Sequence, residues 1–170
     1  MLTVANYSYL MGKLAKAALW ISGTGLVVMT IAIAWQVFGR FVLNDTPAWT
    51  EPLSLVLMLY FILLTAAVGI REHFHLGMDF FQNIASESTQ QLMARISNLM
   101  VGFFGLTMLW WGGQLTAQTW SVKIPVLGLP EGISYLPLPL SGTLIFLFSI
   151  EQIINPAARK NLAPVSTTAE

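Results

Sequence analysis

The chain contains no cysteine and only two histidines, His73 and His75. The first absence excludes disulfides, thiol catalysis and cysteine-ligated metals. The second leaves too few imidazoles for a pair of bis-histidine haem ligands on separate helices. Charge is scarce too. Asp, Glu, Lys and Arg make up 9% of the 170 residues, against about a quarter in a soluble domain. The charges present cancel, eight basic against eight acidic, so no basic face is offered to nucleic acid. No charge falls within 17–39, 52–70, 96–122 or 132–150. An ion-coupled carrier working alone usually keeps a carboxylate, a lysine or a broken helix at the membrane midplane. A small multidrug-type exporter would need an acid in its first helix. The first run here has only Ser22, Thr24, Thr30 and Gln36 as polar side chains. Neither an enzyme nor a bound cofactor is expected.

What remains is apolar: 55% hydrophobic residues and a mean hydropathy of +0.68. The four charge-free runs approach or exceed the roughly 20 residues that cross a bilayer core as a helix. Backbone groups in lipid must be satisfied internally, and no run shows the alternation of a strand. The expected fold is therefore an all-α integral membrane protein in contact with the lipid bilayer. It has four transmembrane helices, at about 15–41, 50–71, 89–122 and 132–155, in one membrane domain over 1–160. The first run is too long for a signal core and lacks a small-x-small cleavage site, so a retained helix is expected. A short amphipathic helix at about 75–86 carries Leu76, Phe80 and Ile84 at four-residue steps, which suits the membrane interface. Ser88 and Gln91 have capping-box spacing before the third helix. Pro137 and Pro139 leave the fourth helix either kinked or starting near Pro139. The polar tail 161–170 is expected to be disordered.

Lys13, Lys16, Arg71, Arg95, Arg159 and Lys160 fall on one side of this topology, with Arg40 and Lys123 on the other. That imbalance predicts a multi-pass membrane protein with both termini cytoplasmic.

Few residues are candidates for a specific role. Arg40 ends the first helix and Glu51 opens the second on the same face, close enough to pair. A purely positional account also exists. Asp45 or Thr46 would cap the second helix, Pro47 or Pro52 would fill its first turn, and an acid there suits the helix dipole. Trp20, Trp35, Trp49 and Trp120 fall near interfaces, where indoles anchor. Trp110 and Trp111 sit in mid-span, where an indole N–H wants an acceptor. Around them Gly102, Gly105, Gly112 and Thr116 recur on one stripe that lets another helix approach. Packing within the chain and contact with a foreign subunit explain that stripe equally well. His75 and Asp79 are four apart and share a face, too sparse a set for a metal site.

In order, these pieces resemble the small membrane subunit of tripartite ATP-independent periplasmic (TRAP) transporters, the DctQ type. The resemblance runs through "QVFGRFVLNDTPAWTEPLSLVL", "TAAVGIREHFHLGMDFF" and "VLGLPEGISYLPLPLSG", over roughly residues 15–155. The family commonly shows two consecutive acids after the tryptophan and an arginine soon after. Here Pro52 follows Glu51, and Ser54 and Leu55 stand where the arginine would. Only Arg40, Trp49, Glu51, His75 and Asp79 carry over. The resemblance implies a large membrane subunit that holds the substrate and sodium sites, and a periplasmic substrate-binding protein that delivers the substrate. It implies organic acids such as C4-dicarboxylates or sialic acids as cargo. This chain would then be a scaffold whose docking candidates are Arg40, Trp49, Glu51, His75, Asp79, Gly105, Trp110, Trp111 and Gly112. The competing readings are a membrane anchor of a respiratory enzyme and a self-sufficient four-helix transporter or channel.

Overall fold

The computed structural model describes residues 2–72 and 87–154, and all regular elements within them are helical. Helix α1 runs from Leu2 to Phe38 and continues as a π-helical turn, Gly39–Leu43. Helix α2 is Thr50–Arg71, α3 is Glu87–Thr119, α4 is the single turn Gly132–Tyr135, and α5 is Pro137–Ile154. Three stretches, Asn6–Leu43, Thr50–Arg71 and Gly132–Ile153, are long and apolar enough to cross a membrane. The 33-residue α3 has the length but dilutes its apolar residues with glycines, glutamines and the Trp110–Trp111 pair. The expected interfacial helix at 75–86 and the tail 161–170 lie outside the described residues.

Helix α2 has the bounds read from the sequence. Helix α1 does not start near residue 15 but thirteen residues earlier. At 1.5 Å per residue its 37 residues measure about 56 Å, nearly twice a hydrocarbon core of about 30 Å. Nothing stops the helix sooner, since the first proline is Pro47. Tyr7, Met11, Ala15, Ala18 and Ser22 also recur at three- and four-residue steps, so one buried stripe runs from the N-terminal extension into the span. Helix α3 ends at Thr119 rather than 122. The chain there turns tightly, Trp120 N–H bonding the Ala117 carbonyl and Val122 N–H that of Thr119. Ser88 already lies inside α3, so the expected capping box does not open it. The fourth span breaks at Leu136, not Pro139. Leu136 N–H closes α4 on the Gly132 carbonyl, and Pro137 takes the first position of α5. A proline fits there because its missing N–H would have had no helical partner.

The helices form a row. Helix α1 packs along α2, α2 along α5, and α5 most extensively along α3. Helix α1 reaches α5 mainly through its first turns, and α3 flanks the far side. The core is a small cluster in which Met11, Ala15 and Ala18 meet Leu64, Val68 and Phe148. Small side chains on α1 permit that close approach. The α3–α5 seam is tighter still. A Cβ on Gly142 would lie 2.7 Å from the Leu109 nitrogen and 2.8 Å from the Gly105 oxygen. A Cβ on Gly112 would lie 2.9 Å from that of Leu138. Elsewhere large apolar side chains such as Trp20, Ile31, Phe41 and Phe103 face outward, as they do on a protein solvated by lipid.

Candidate functional site

The corner between α1 and α2 holds three of the predicted docking residues. Asn44, in the left-handed region at φ 54°, ends the π turn, and the N–H groups of Asn44 and Asp45 both reach the Gly39 carbonyl. Left-handed asparagine is a common helix terminator. Gly39 is buried because the chain folds back over it. A Cβ there would stand 2.7 Å from the Asp45 carbonyl oxygen and 3.0 Å from Pro47 Cδ.

Neither Asp45 nor Thr46 caps α2, contrary to expectation. The helix opens at Thr50 with no side-chain cap. The fully buried Thr50 instead donates both its hydroxyl (2.8 Å) and its N–H (3.4 Å) to the Pro47 carbonyl. Pro47–Trp49 makes the turn, which moves the helix start past both capping candidates. Glu51 and Pro52 do sit in the first turn. Arg40 and Glu51 do not pair: both are exposed, and the single ion pair among the described residues lies elsewhere. Gly39 occupies the face that meets the returning loop, which directs Arg40 away from it. Trp49 is half exposed at the same corner.

The polar centre of the molecule is at the other end of the helices. Arg71, at the end of α2, donates Nε to Glu151 Oε2 at 3.1 Å and a second N–H to Oε1 at 3.3 Å. The pair is nearly sealed, with the Arg71 side chain 11% and that of Glu151 3% exposed. Ser8 on α1 donates its hydroxyl to the same Oε1 at 2.7 Å. Tyr7 donates to the Leu147 carbonyl at 3.1 Å. Gln152 donates to the Ile70 carbonyl at 3.0 Å, one of the last carbonyls of α2 that no helical N–H can reach. The guanidinium also lies 5.7 Å from the centre of the fully buried Phe148 ring, within cation–π range. Three helices, α1, α2 and α5, are thus tied by one carboxylate, and the two ends of the described chain lie together.

In sequence alone Arg71 marks topology and Glu151 has no assigned role. The signal was present: two opposite charges each end an apolar run on the same side. Such end charges are usually hydrated, and nothing in the sequence showed that the N-terminal extension would cover them.

Of the other candidates, Trp110 and Trp111 are each about two-thirds exposed, and neither indole donates a hydrogen bond among the described residues. Gly105 and Gly112 face inward, against Gly142 and Ile145 and against Leu138 and Pro139 respectively. They are not open to a foreign helix, because α5 already fills the space their missing side chains leave. His75 and Asp79 lie outside the described residues. No group of three His, Asp or Glu residues converges among the described ones.

This arrangement ties helices and presents surface. The sequence matches the family described as "Tripartite ATP-independent periplasmic transporters, DctQ component" over residues 29–159, well over half of the chain. The chain belongs to that DctQ family. It is therefore a multi-pass membrane transport component and not an enzyme. It is 24% identical over 144 residues to the sialic acid TRAP transporter small permease protein of Vibrio cholerae, covering 85% of this chain and 82% of that one. It is 26% identical over 113 residues to the C4-dicarboxylate TRAP transporter small permease protein of the same organism, covering 64% and 48%. It is 26% identical over 149 residues to the sialic acid TRAP transporter permease protein of Haemophilus influenzae, covering 86% of this chain but 24% of that longer one. The chain thus spans most of the first of these relatives and less than half of the other two. The DctQ match includes Arg40, Trp49, Glu51, Arg71 and Glu151. It begins after Tyr7 and Ser8, so the polar tie joins family residues to an N-terminal extension beyond the matched segment.

Proposed function

We propose that this chain is the small membrane subunit of a sodium-coupled TRAP transporter that imports an organic acid of the sialic acid or C4-dicarboxylate class. A large membrane subunit would carry the substrate and sodium sites, a periplasmic binding protein would deliver the substrate, and this chain would brace the stationary part of the large subunit. Four crossings belong to the same reading, with α3 as the third and both termini cytoplasmic. The convergence of Ser8, Arg71 and Glu151 at one end supports that topology. The low apolarity of α3 comes largely from Trp and Gly, which membranes accommodate.

One observation carries the bracing role. Similarity covers 86% of this chain and a quarter of a much longer permease protein, so a segment of this kind occurs joined to a larger permease. An open row of helices also suits a long contact better than a closed bundle does. Arg40, Trp49 and Glu51 at the periplasmic corner, and Trp110 and Trp111 on the outer face of α3, are the surface we assign to the partner. His75 and Asp79 belong to the same assignment on the cytoplasmic side.

Affinity capture of the tagged subunit from native membranes, followed by mass spectrometry, tests this. A stoichiometric large polytopic partner is expected; recovery with a redox enzyme, or alone, contradicts it. Glu51→Gln removes an exposed charge that has no ion-pair partner among the described residues, so the isolated subunit should be as stable as the parent. Capture of the large subunit should fall roughly fivefold, the effect of about 1 kcal/mol. Sodium stoichiometry in complexes that do form should not change; a changed value would move Glu51 into the transport path.

A further inference from the structure

Helix α3 is long enough to cross a membrane but, unlike the three stretches above, is not apolar enough by composition. Two of its polar residues, Gln114 and Gln118, stand exposed in its last turns. Threonines on the same helix satisfy themselves. Thr107 donates to the Phe104 carbonyl, Thr116 to that of Gly112 and Thr119 to that of Leu115, each at 2.8 Å. A glutamine amide carries two donors and an acceptor, more than one backbone carbonyl can occupy. Among the described residues neither amide bonds to another group, and the exposed indole of Trp110 does not either.

These groups share one face. On an α-helix Gln114 lies about 180° from Gly105 and about 160° from Gly112, the two glycines against which α5 packs. Trp110 and Gln118 stand four residues to either side of Gln114, so the three form a stripe turned away from the rest of the chain. The stripe also lies at the depth of the spans. Tyr60 is midway along the 22-residue α2, about 15 Å from Thr50, and its hydroxyl donates to the Ile133 carbonyl at 3.0 Å. The adjoining Gly132 is covered by the end of α3. A Cβ there would stand 2.7 Å from the Thr116 oxygen and 2.8 Å from the Trp120 ring. The last turns of α3 are thus tied to the middle of α2, and Gln114 lies further in along α3 than either contact.

We propose that Trp110, Gln114 and Gln118 form a hydrogen-bonding seam by which α3 docks, inside the membrane, on a helix of the large subunit. The facing groups would be hydroxyls, amides or free backbone carbonyls. The inference rests on the reading above that α2 and α3 cross the bilayer and that this chain braces a larger one. An amide facing hydrocarbon without a partner is costly, and acyl chains offer it none. Glutamines are a common hydrogen-bonding glue between membrane helices. A water-soluble binding protein does not reach this depth. Similarity to the Haemophilus influenzae permease takes up 24% of that longer chain, which favours a larger permease portion as the neighbour over a second copy of this subunit. The low apolarity of α3 then has a cause: its outer face is built to meet protein.

Gln114→Met and Gln118→Met test it, since methionine is also unbranched and has a similar helix propensity but carries no amide. The isolated variants should unfold in denaturing detergent at the same point as the parent. Capture of the large subunit from native membranes should fall about threefold for each and close to tenfold for the pair, the size of ordinary hydrogen bonds between membrane helices. Ala117→Cys, exposed beside the stripe in a chain with no other cysteine, leaves both amides in place. Carrying a benzophenone maleimide, it should crosslink to the large subunit on illumination in the membrane. Undiminished capture by the double variant overturns the proposal, as does a crosslink between two copies of this chain. Loss of stability in the isolated double variant also overturns it, assigning the amides to contacts within the subunit. Failure of the bracing reading shows separately: the parent itself would then capture no large subunit, and the seam would fall with it.

Discussion

Glu151→Leu should destabilise the folded subunit by about 3 kcal/mol, at the lower end of the cost of breaking a buried ion pair. The substitution leaves the Arg71 guanidinium, 11% exposed, with no ion-pair partner among the described residues, and strips the Ser8 hydroxyl of its acceptor. The lower end applies because Arg71 ends its helix and can extend toward the interface. Arg71→Met should cost a similar amount by stranding the carboxylate, which is the more deeply buried partner. Arg71→Met/Glu151→Leu together should recover most of the loss, since a buried ion pair replaced by apolar side chains of similar volume is often close to neutral. Unfolding of the purified subunit in increasing denaturing detergent measures all four corners of this cycle. A single variant as stable as the parent would show that the tie does not hold α1, α2 and α5 together. If it does hold them, α1 should also lose its N-terminal contacts in the single variants, read as faster hydrogen exchange near Tyr7 and Ser8.

The second large effect is at the α3–α5 seam. Gly142→Ala should destabilise the subunit by about 1–3 kcal/mol or more, the range for overpacking a filled interior. The added methyl would stand 2.7 Å from the Leu109 nitrogen and 2.8 Å from the Gly105 oxygen, both backbone atoms that cannot swing aside. Gly113→Ala is the internal control. It lies in the same helix pair with nothing within 4 Å of its Cβ position. There alanine should stabilise the helix by up to about 1 kcal/mol, the ordinary difference between the two residues. The same glycine-to-alanine change is thus expected to have opposite signs in one helix pair. Equal effects at both sites would mean that α3 and α5 are not in backbone contact.

Much of this fold was legible because the bilayer imposes a simple rule. The charge-free run that stops at Arg71 marked the end of α2, which emerged with its bounds intact, whereas the third helix runs through Arg95. The errors share a cause. The run of charge-free residues sets where α1 must be apolar, but not where it stops being helical, and Lys13 and Lys16 are as compatible with a helix as with a tail. At the fourth span, two prolines each remove one donor; which of them starts the helix depends on the Leu136–Gly132 bond, a matter of packing. The glycine stripe was read correctly as a close-approach surface. That it faces α5 and not another protein depends on which helices are neighbours, and a row ordered α1, α2, α5, α3 is not visible in local patterning. The Arg40–Glu51 pair that the topology allows does not form for a related reason: sharing a face by topology does not fix direction around a π turn. The turn between α3 and α4 takes its order from backbone bonds such as Ile124 N–H to the Leu129 carbonyl, which side-chain patterning does not reveal.

The central claim is that this chain serves transport by supporting another. Its most direct test is uptake into liposomes bearing an inward sodium gradient, with the cognate binding protein and labelled sialic acid or C4-dicarboxylate outside. Liposomes holding the large subunit together with this chain should accumulate substrate. Those holding either one alone should not. Full uptake by the large subunit alone, or any sodium-driven uptake by this chain alone, would contradict the account.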